Sequence, residues 1–188
     1  MACAGRHGRP FLGIRPTMFD ALPQGHFGAI LADPPWHFKV WSLENTGRAR
    51  HPSEHYDTMT IEQIRALPVA NCAADSCVLF IWIVWPMLEH ALEVIKAWGF
   101  TYKTCAFAWV KANNTQIDFF QDDLTADMKL GYWTRANSEV CLLATRGKPK
   151  RKSAAVRQAI IEPAREHSRK PDCIYDRIER LVNGPYLE

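Results

Sequence analysis

Residues 76–84, Ser-Cys-Val-Leu-Phe-Ile-Trp-Ile-Val, run almost without a polar side chain. A strand with one wet face alternates, whereas a strand covered on both faces reads as a continuous apolar run. That second pattern belongs to parallel sheets with helices above and below. The residues that follow agree with it. Pro86 suits a first helical turn, and Leu88, Ala91, Leu92, Ile95 and Trp98 recur at helical spacing. Gly99 stands where a helix stops, and another strand is expected over 100–110. Strand, helix, strand of these lengths is a βαβ unit. The chain is therefore expected to be an α/β protein with a mostly parallel sheet flanked by helices.

Ligands of such sheets sit at the carboxyl ends of the strands. The first apolar run, 27–32, exits into Asp33-Pro34-Pro35-Trp36. Each proline fixes φ and lacks an N–H, and Pro34 drives Asp33 towards an extended conformation. This elbow cannot continue a ladder. Its carbonyls and the Asp33 carboxylate are expected to form a cluster of acceptors with no donors, beside an indole wall from Trp36. Such a site suits a planar heterocycle with an exocyclic amino group, held by edge hydrogen bonds and stacking as an unstacked base is. A proline-terminated strand with a capping aspartate and a core tryptophan fits the same four residues. Lys111, at the exit of the strand over 100–110, can neutralise a carboxylate or phosphate, or be one more exposed lysine.

Elsewhere, Thr60 with Gln63 makes a capping box for a short helix that carries Ile61, Ile64 and Leu67 and ends at Pro68. Residues 37–58 and 112–131 have no usable period, and loops of that length are functional or disordered. The first holds Trp41, Asn45, Arg48, Arg50, His51, His55 and Tyr56, a mixture suited to gripping a nucleotide strand or to a solvated loop. Another apolar strand is expected over 138–145. Glu139 stands at its start, with Arg135 as a candidate partner. Arg146, Lys148, Lys150, Arg151, Lys152 and Arg157 follow. They form an electrostatic footprint for nucleic acid or a solvated basic loop. His167-Ser168-Arg169-Lys170 leads into a final helix at Pro171, a start that suits anions. That helix carries Ile174, Ile178, Leu181 and Val182, and stops at Asn183-Gly184. Tyr186-Leu187 then opens a strand.

A chain of 188 residues with a net charge of +3 supports one domain with a real core. Residues 1–24 read as an N-terminal arm with an edge segment near 11–14, and 25–188 as the domain. The six cysteines show no CxxC pair and no ligand spacing with histidine, so reduced thiols and no metal are expected. No apolar run approaches a membrane span, and a cytoplasmic protein is expected.

Taken in order, Ala32-Asp33-Pro34-Pro35-Trp36, Trp109-Val110-Lys111-Ala112-Asn113, the run 131–147 around Glu139, and 167–179 resemble the motifs of the MT-A-seventy family of N-6 adenine methyltransferases. The resemblance covers residue 27 to the end. It implies a Rossmann-like methyltransferase fold that uses S-adenosylmethionine, in a permuted order with the catalytic motif first. Carried over, Asp33 and Pro34 would accept hydrogen bonds from the target amino group, Asp33 also bordering the cofactor. Pro35 and Trp36 would shape the base pocket, and Tyr56 would lie near the substrate base. Lys111 would reach the cofactor's methionine carboxylate. Arg135 and Glu139 would belong to the strand-end set near cofactor and substrate, and Ser168 and Lys170 to the cofactor side.

The activity implied is methyl transfer to the 6-amino group of adenine in nucleic acid. DNA is expected rather than RNA, because compact members without added RNA-binding domains are typically bacterial or phage proteins. A catalytically silent nucleic-acid-binding member is the alternative, and a homo- or heterodimer is compatible with either. Family members continue past the equivalent of Tyr186-Leu187-Glu188 with an aromatic-Gly/Ala-Arg turn and a Gly-Trp strand that hold the cofactor's ribose and adenine. This chain has neither, so a truncated chain with an incomplete cofactor-binding part is expected.

Overall fold

The computed structural model describes residues 17–37, 58–112, 133–134, 136–166 and 168–188. Among these residues six strands make one sheet: β1 (Phe27–Ala32), β2 (Ala73–Ile83), β3 (Thr101–Ala112), β4 (Ser138–Arg146), β5 (Ala159–Pro163) and β6 (Tyr186–Leu187). Their order is β5-β3-β4-β2-β1-β6. β1 pairs in parallel with β2 and β6, and β3 with β5. β4 alone is reversed, antiparallel to β2 on one side and β3 on the other. The fold is thus α/β and Rossmann-like, with a mostly parallel sheet. The βαβ unit is present with a difference, since β4 is inserted between β2 and β3.

β2 explains why the sheet is covered twice. Every residue from Cys77 to Ile83 is buried, as the unbroken apolar run requires. Side chains alternate along a strand, so Cys77, Leu79, Ile81 and Ile83 enter one core and Val78, Phe80 and Trp82 the other. α4 (Leu88–Ala97) covers the first through Ala91, Val94 and Ile95. α5 (Cys173–Leu181) covers the second through Ile174 and Ile178.

Local signals position these pieces. α2 (Ile61–Arg65) starts on a complete capping box. The Gln63 N–H donates to Thr60 Oγ1 at 3.2 Å, and the Thr60 N–H to Gln63 Oε1 at 2.8 Å. α2 ends at its C-cap Ala66, ahead of Pro68 as expected. Pro68 then caps a further turn, α3 (Val69–Cys72), whose Val69 and Cys72 are buried. A 3-10 turn, Trp85–Met87, contains Pro86 and delays α4 to Leu88, while Gly99 closes that helix at φ 80°. Within the stretch read as an arm, α1 (Thr17–Asp20) is followed by Leu22, and Phe19 and Leu22 both pack on the core. The edge segment near 11–14 lies outside the described residues.

At the end of β4, Gly147 has φ 63°, and a Cβ there would lie 2.1 Å from the Asp75 carbonyl oxygen. Only glycine fits that turn. It sends the chain off the amino edge of the sheet.

Candidate functional site

Four ionic side chains meet at the edge where the parallel strands finish. Asp33 follows β1, Lys111 is next to last in β3, and Glu139 is second in β4. Glu139 arrives there because β4 is reversed, so its beginning lies where its neighbours end. Alternation aims all three at one face: Leu31, Trp109 and Cys141, each two positions away, belong to the core beneath α5. α5 packs on that face, and the loop entering it delivers Lys170.

Lys170 Nζ stands 2.8 Å from Asp33 Oδ2 and 3.3 Å from Glu139 Oε2, and the Lys111 ammonium donates to Glu139 Oε1. Anion and cation alternate along the chain Asp33–Lys170–Glu139–Lys111, and the formal charges cancel. The Asp33 side chain keeps 42% of its surface in water, against 18% for Lys170, 20% for Glu139 and 11% for Lys111. Indole faces lie close to both ammonium groups. Lys170 Nζ is 5.7 Å from the Trp82 ring centre and Lys111 Nζ 4.9 Å from that of Trp109, contacts that favour a cation.

These contacts push the titrations in opposite directions. Loss of water around Asp33 raises its carboxyl above the ordinary aspartate value, with Lys170 opposing. Burial would raise Glu139 too, but Lys170 and Lys111 together outweigh it and hold the carboxyl low. For Lys170, burial works against the charge, and Asp33 and Glu139 more than restore it, so its value is raised. Among the described residues, Asp33 Oδ2 has a hydrogen-bond donor and Oδ1 has none. That leaves an anionic acceptor at the rim.

The elbow is more tightly tied than its prolines alone require. The Trp36 N–H donates to the Pro34 carbonyl at 2.8 Å, closing a three-residue turn, and the Met59 N–H to the Pro35 carbonyl at 2.9 Å. β1 ends opposite Ile81, and Trp36 Nε1 takes the carbonyl of the next β2 residue, Trp82, at 2.9 Å. His37 Nδ1 and Thr58 Oγ1 are 2.9 Å apart, so the ends of the intervening segment are held side by side.

Three expectations change on this geometry. Trp36 is only 4% exposed and packs in the α4-side core. An indole covered in this way offers no free face, so it anchors the elbow and is not a stacking wall. The acceptor cluster is not free of donors, because the Lys170 ammonium sits in it. The Pro34 carbonyl already accepts one hydrogen bond, leaving one lone pair. Pro34 is buried and Pro35 half-buried.

Of the residues singled out from the sequence, Asp33, Lys111, Glu139 and Lys170 come together. Ser168 lies exposed in the Lys170 loop at φ 64°. Tyr56 and Arg135 fall outside the described residues; among those described, the partners of Glu139 are the two lysines. Sequence reading missed the Asp33–Lys170 pair, whose members are 137 positions apart, with no local signal to join them. It also missed the brace on their loop, where Asp172 accepts from Arg165 at 2.8 Å and from Arg169 at 3.1 Å.

The basic run lies away from this site. β4 spans nine residues, about 26 Å at the usual strand rise, and Arg146 stands at its far end. Among the described residues, no group of three His, Cys, Asp or Glu side chains could hold a metal ion. The cysteines there are free thiols, and no helix is long and apolar enough to cross a membrane.

Comparison with known proteins adds to this geometry. The sequence profile of the MT-A70 (MT-A-seventy) family matches residues 27–187. The type II methyltransferase M.MunI of a Mycoplasma species is 28% identical over 179 residues, covering 87% of this chain and 71% of that protein. An N(6)-adenosine-methyltransferase MT-A70-like protein of Arabidopsis thaliana is 29% identical over 169 residues, 90% of this chain and 22% of the relative. The human N(6)-adenosine-methyltransferase catalytic subunit METTL3 is 29% identical over 166 residues, 88% of this chain and 25% of its own length. The chain therefore spans about a quarter or less of the plant and human relatives.

Proposed function

The chain belongs to the MT-A70 family, and on that footing we propose that it moves a methyl group from S-adenosylmethionine to the 6-amino group of adenine in nucleic acid, DNA before RNA. The observation that carries this reading is Asp33: an anionic acceptor at the carboxyl edge, 2.8 Å from Lys170 through one oxygen and with no donor to the other among the described residues. The preference for DNA rests on the likeness to the type II methyltransferase. The match extends over 71% of the type II methyltransferase, against 22% and 25% of two N(6)-adenosine-methyltransferases. The human relative's name as a catalytic subunit supports an assembly with a second chain.

An adenine amino group is a poor nucleophile because its lone pair is delocalised into the ring. Asp33 Oδ1 and the remaining lone pair of the Pro34 carbonyl would take its two hydrogens, so that the nitrogen pyramidalises. Positive charge developing on that nitrogen is met by a carboxylate already in place. Lys170 fixes the direction of that carboxylate, and Trp36 fixes the elbow, so the contribution is chiefly positioning. The raised proton affinity of Asp33 also suits it to receive the proton that leaves nitrogen after transfer.

The ionic set fits the cofactor, whose methionine end carries both a carboxylate and an ammonium. Lys111 and Lys170 can hold the first, and Asp33, at the rim, borders the second. When bound, S-adenosylmethionine supplies an electrophilic methyl on a sulfonium.

The test is transfer of labelled methyl groups to DNA and RNA oligonucleotides of the same adenine-containing sequence. DNA should be the better substrate. Asp33→Ala should cut turnover by about a hundredfold or more, the scale of losing one preorganised electrostatic contact, with cofactor affinity changed only a few-fold. Wild-type turnover in that variant sinks the mechanism, and faster methylation of RNA sinks the DNA preference.

A further inference from the structure

Trp85 follows β2 at the same edge of the sheet as Asp33. Since Ala32 pairs with Ile81, Asp33 is level with Trp82. Trp85, three residues further, stands about 10 Å beyond it at the strand rise. The elbow reaches across to this strand end through the bond from Trp36 to the Trp82 carbonyl. The indole of Trp85 is 52% exposed.

A single exposed aromatic needs no explanation in itself, but this one is held. Its Nε1 donates to Ser138 Oγ at 3.3 Å; Ser138 precedes Glu139 on β4 and shares the face of Val140, so the indole is held on the α4 side of this edge and the ionic set on the α5 side. Its backbone is fixed by the 3-10 turn and by Pro86 behind it. Of the other large exposed aromatics, Trp133 is 99% exposed in the segment before β4, with no hydrogen bond to a described residue that would hold its ring, and the tyrosines are placed or used differently. Tyr102 and Tyr186 pair with Ala144 and Ala29, away from this edge. The Tyr175 hydroxyl donates to the Glu188 carboxylate at 2.7 Å.

We propose that Trp85 is a stacking platform for a nucleobase adjacent to the target adenine. This inference rests on the nucleic-acid reading above. An indole whose polar atom is tied to the protein presents its ring to one flat partner, and every base has a π-face to offer. The separation from Asp33 suits a base one or two nucleotides along an unpaired strand. Trp85 thereby takes the stacking task that the sequence had suggested for Trp36.

The experiment measures binding of a labelled single-stranded, adenine-containing DNA oligonucleotide by anisotropy, in the presence of S-adenosylhomocysteine, with turnover recorded in parallel. Trp85→Ala should weaken binding by about fivefold to a hundredfold, the span that ~1–3 kcal/mol of base–aromatic stacking represents. Trp85→Phe should keep most of the affinity. Affinity for S-adenosylhomocysteine and thermal stability should not move in either variant. Removing the neighbouring bases, one abasic nucleotide at a time, should weaken wild-type binding at one position and leave Trp85→Ala unaffected there, which makes the pair a thermodynamic cycle.

Wild-type affinity in Trp85→Ala overturns the platform. An equal loss in Trp85→Phe overturns it too, as does the absence of coupling to any abasic position. In each case a wild-type chain that still binds and methylates leaves the proposed function standing. A wild-type chain that neither binds nor methylates the oligonucleotide overturns both.

Discussion

The two edges of the sheet carry charge in opposite ways. At the carboxyl edge, Asp33, Lys170, Glu139 and Lys111 alternate in sign, sit mostly out of water and cancel. At the amino edge, one sign accumulates between Arg146 and Lys152, largely exposed. The exposed run attracts attention in the sequence, yet two of its members serve the architecture. Arg146 Nη1 donates to the Ala70 carbonyl at 2.7 Å. Lys152 Nζ donates to the Glu179 carbonyl at 2.7 Å, in the last turn of α5, where a cation also suits the helix dipole. The site, by contrast, is made of residues that no sequence window holds together.

That contrast is broken most directly at its centre. Glu139→Ala leaves two partly buried lysines without their shared anion. It should lower stability by about 3 kcal/mol, as losing one partner of a buried pair does, read as a shift in urea midpoint with turnover falling too. An unchanged midpoint would reduce the cluster to a surface pair.

Acidification sharpens the contrast further. Asp33 has a raised carboxyl value, so it is protonated and lost as an acceptor above the ordinary 3.8 for aspartate, and its protonation favours the folded state. Glu139 has a lowered value; its contribution to stability is complete above 4.5 and disappears as pH falls through the lower folded value. Turnover should therefore fail at a higher pH than the fold, compared by pH–rate profiles and circular dichroism. Coincident midpoints would contradict this.

At the other edge the effects should be smaller and of another kind. Arg146→Ala removes one charged hydrogen bond and should cost about 1.5–3 kcal/mol in denaturant unfolding, with turnover within about twofold. The smallest change is expected from Lys150→Glu with Arg151→Glu, where kcat/KM should stay within about threefold, the scale of exposed charges. A tenfold loss there would make the amino edge a nucleic-acid surface after all.

Much of the frame was legible in the sequence because packing leaves a local trace. The buried run of β2, the capping box at Thr60 and Gln63, and the stop at Gly99 each declare themselves within a few residues. β5 did not, since Ala159–Pro163 offers only five residues with Glu162 and Pro163 among them. The turn after Pro68 left no such trace, since the proline that follows α2 serves equally as a helix start. Strand order is a long-range property, and nothing in 138–145 announces that β4 runs backwards between β2 and β3. The same gap concealed the site's wiring. Asp33, Lys111, Glu139 and Lys170 were each visible, the first by its prolines and the others by position or resemblance. Their pairing depends on a reversed strand and a distant loop.

Electrolyte should tell the two edges apart without any substitution. Each gap in the alternating quartet is well inside the screening length of about 8 Å at physiological ionic strength, and a set that sums to zero attracts few counterions. Sodium chloride can thus screen the exposed run while the pocket beneath keeps its shape. A steady kcat across such a titration is the signature that arrangement predicts.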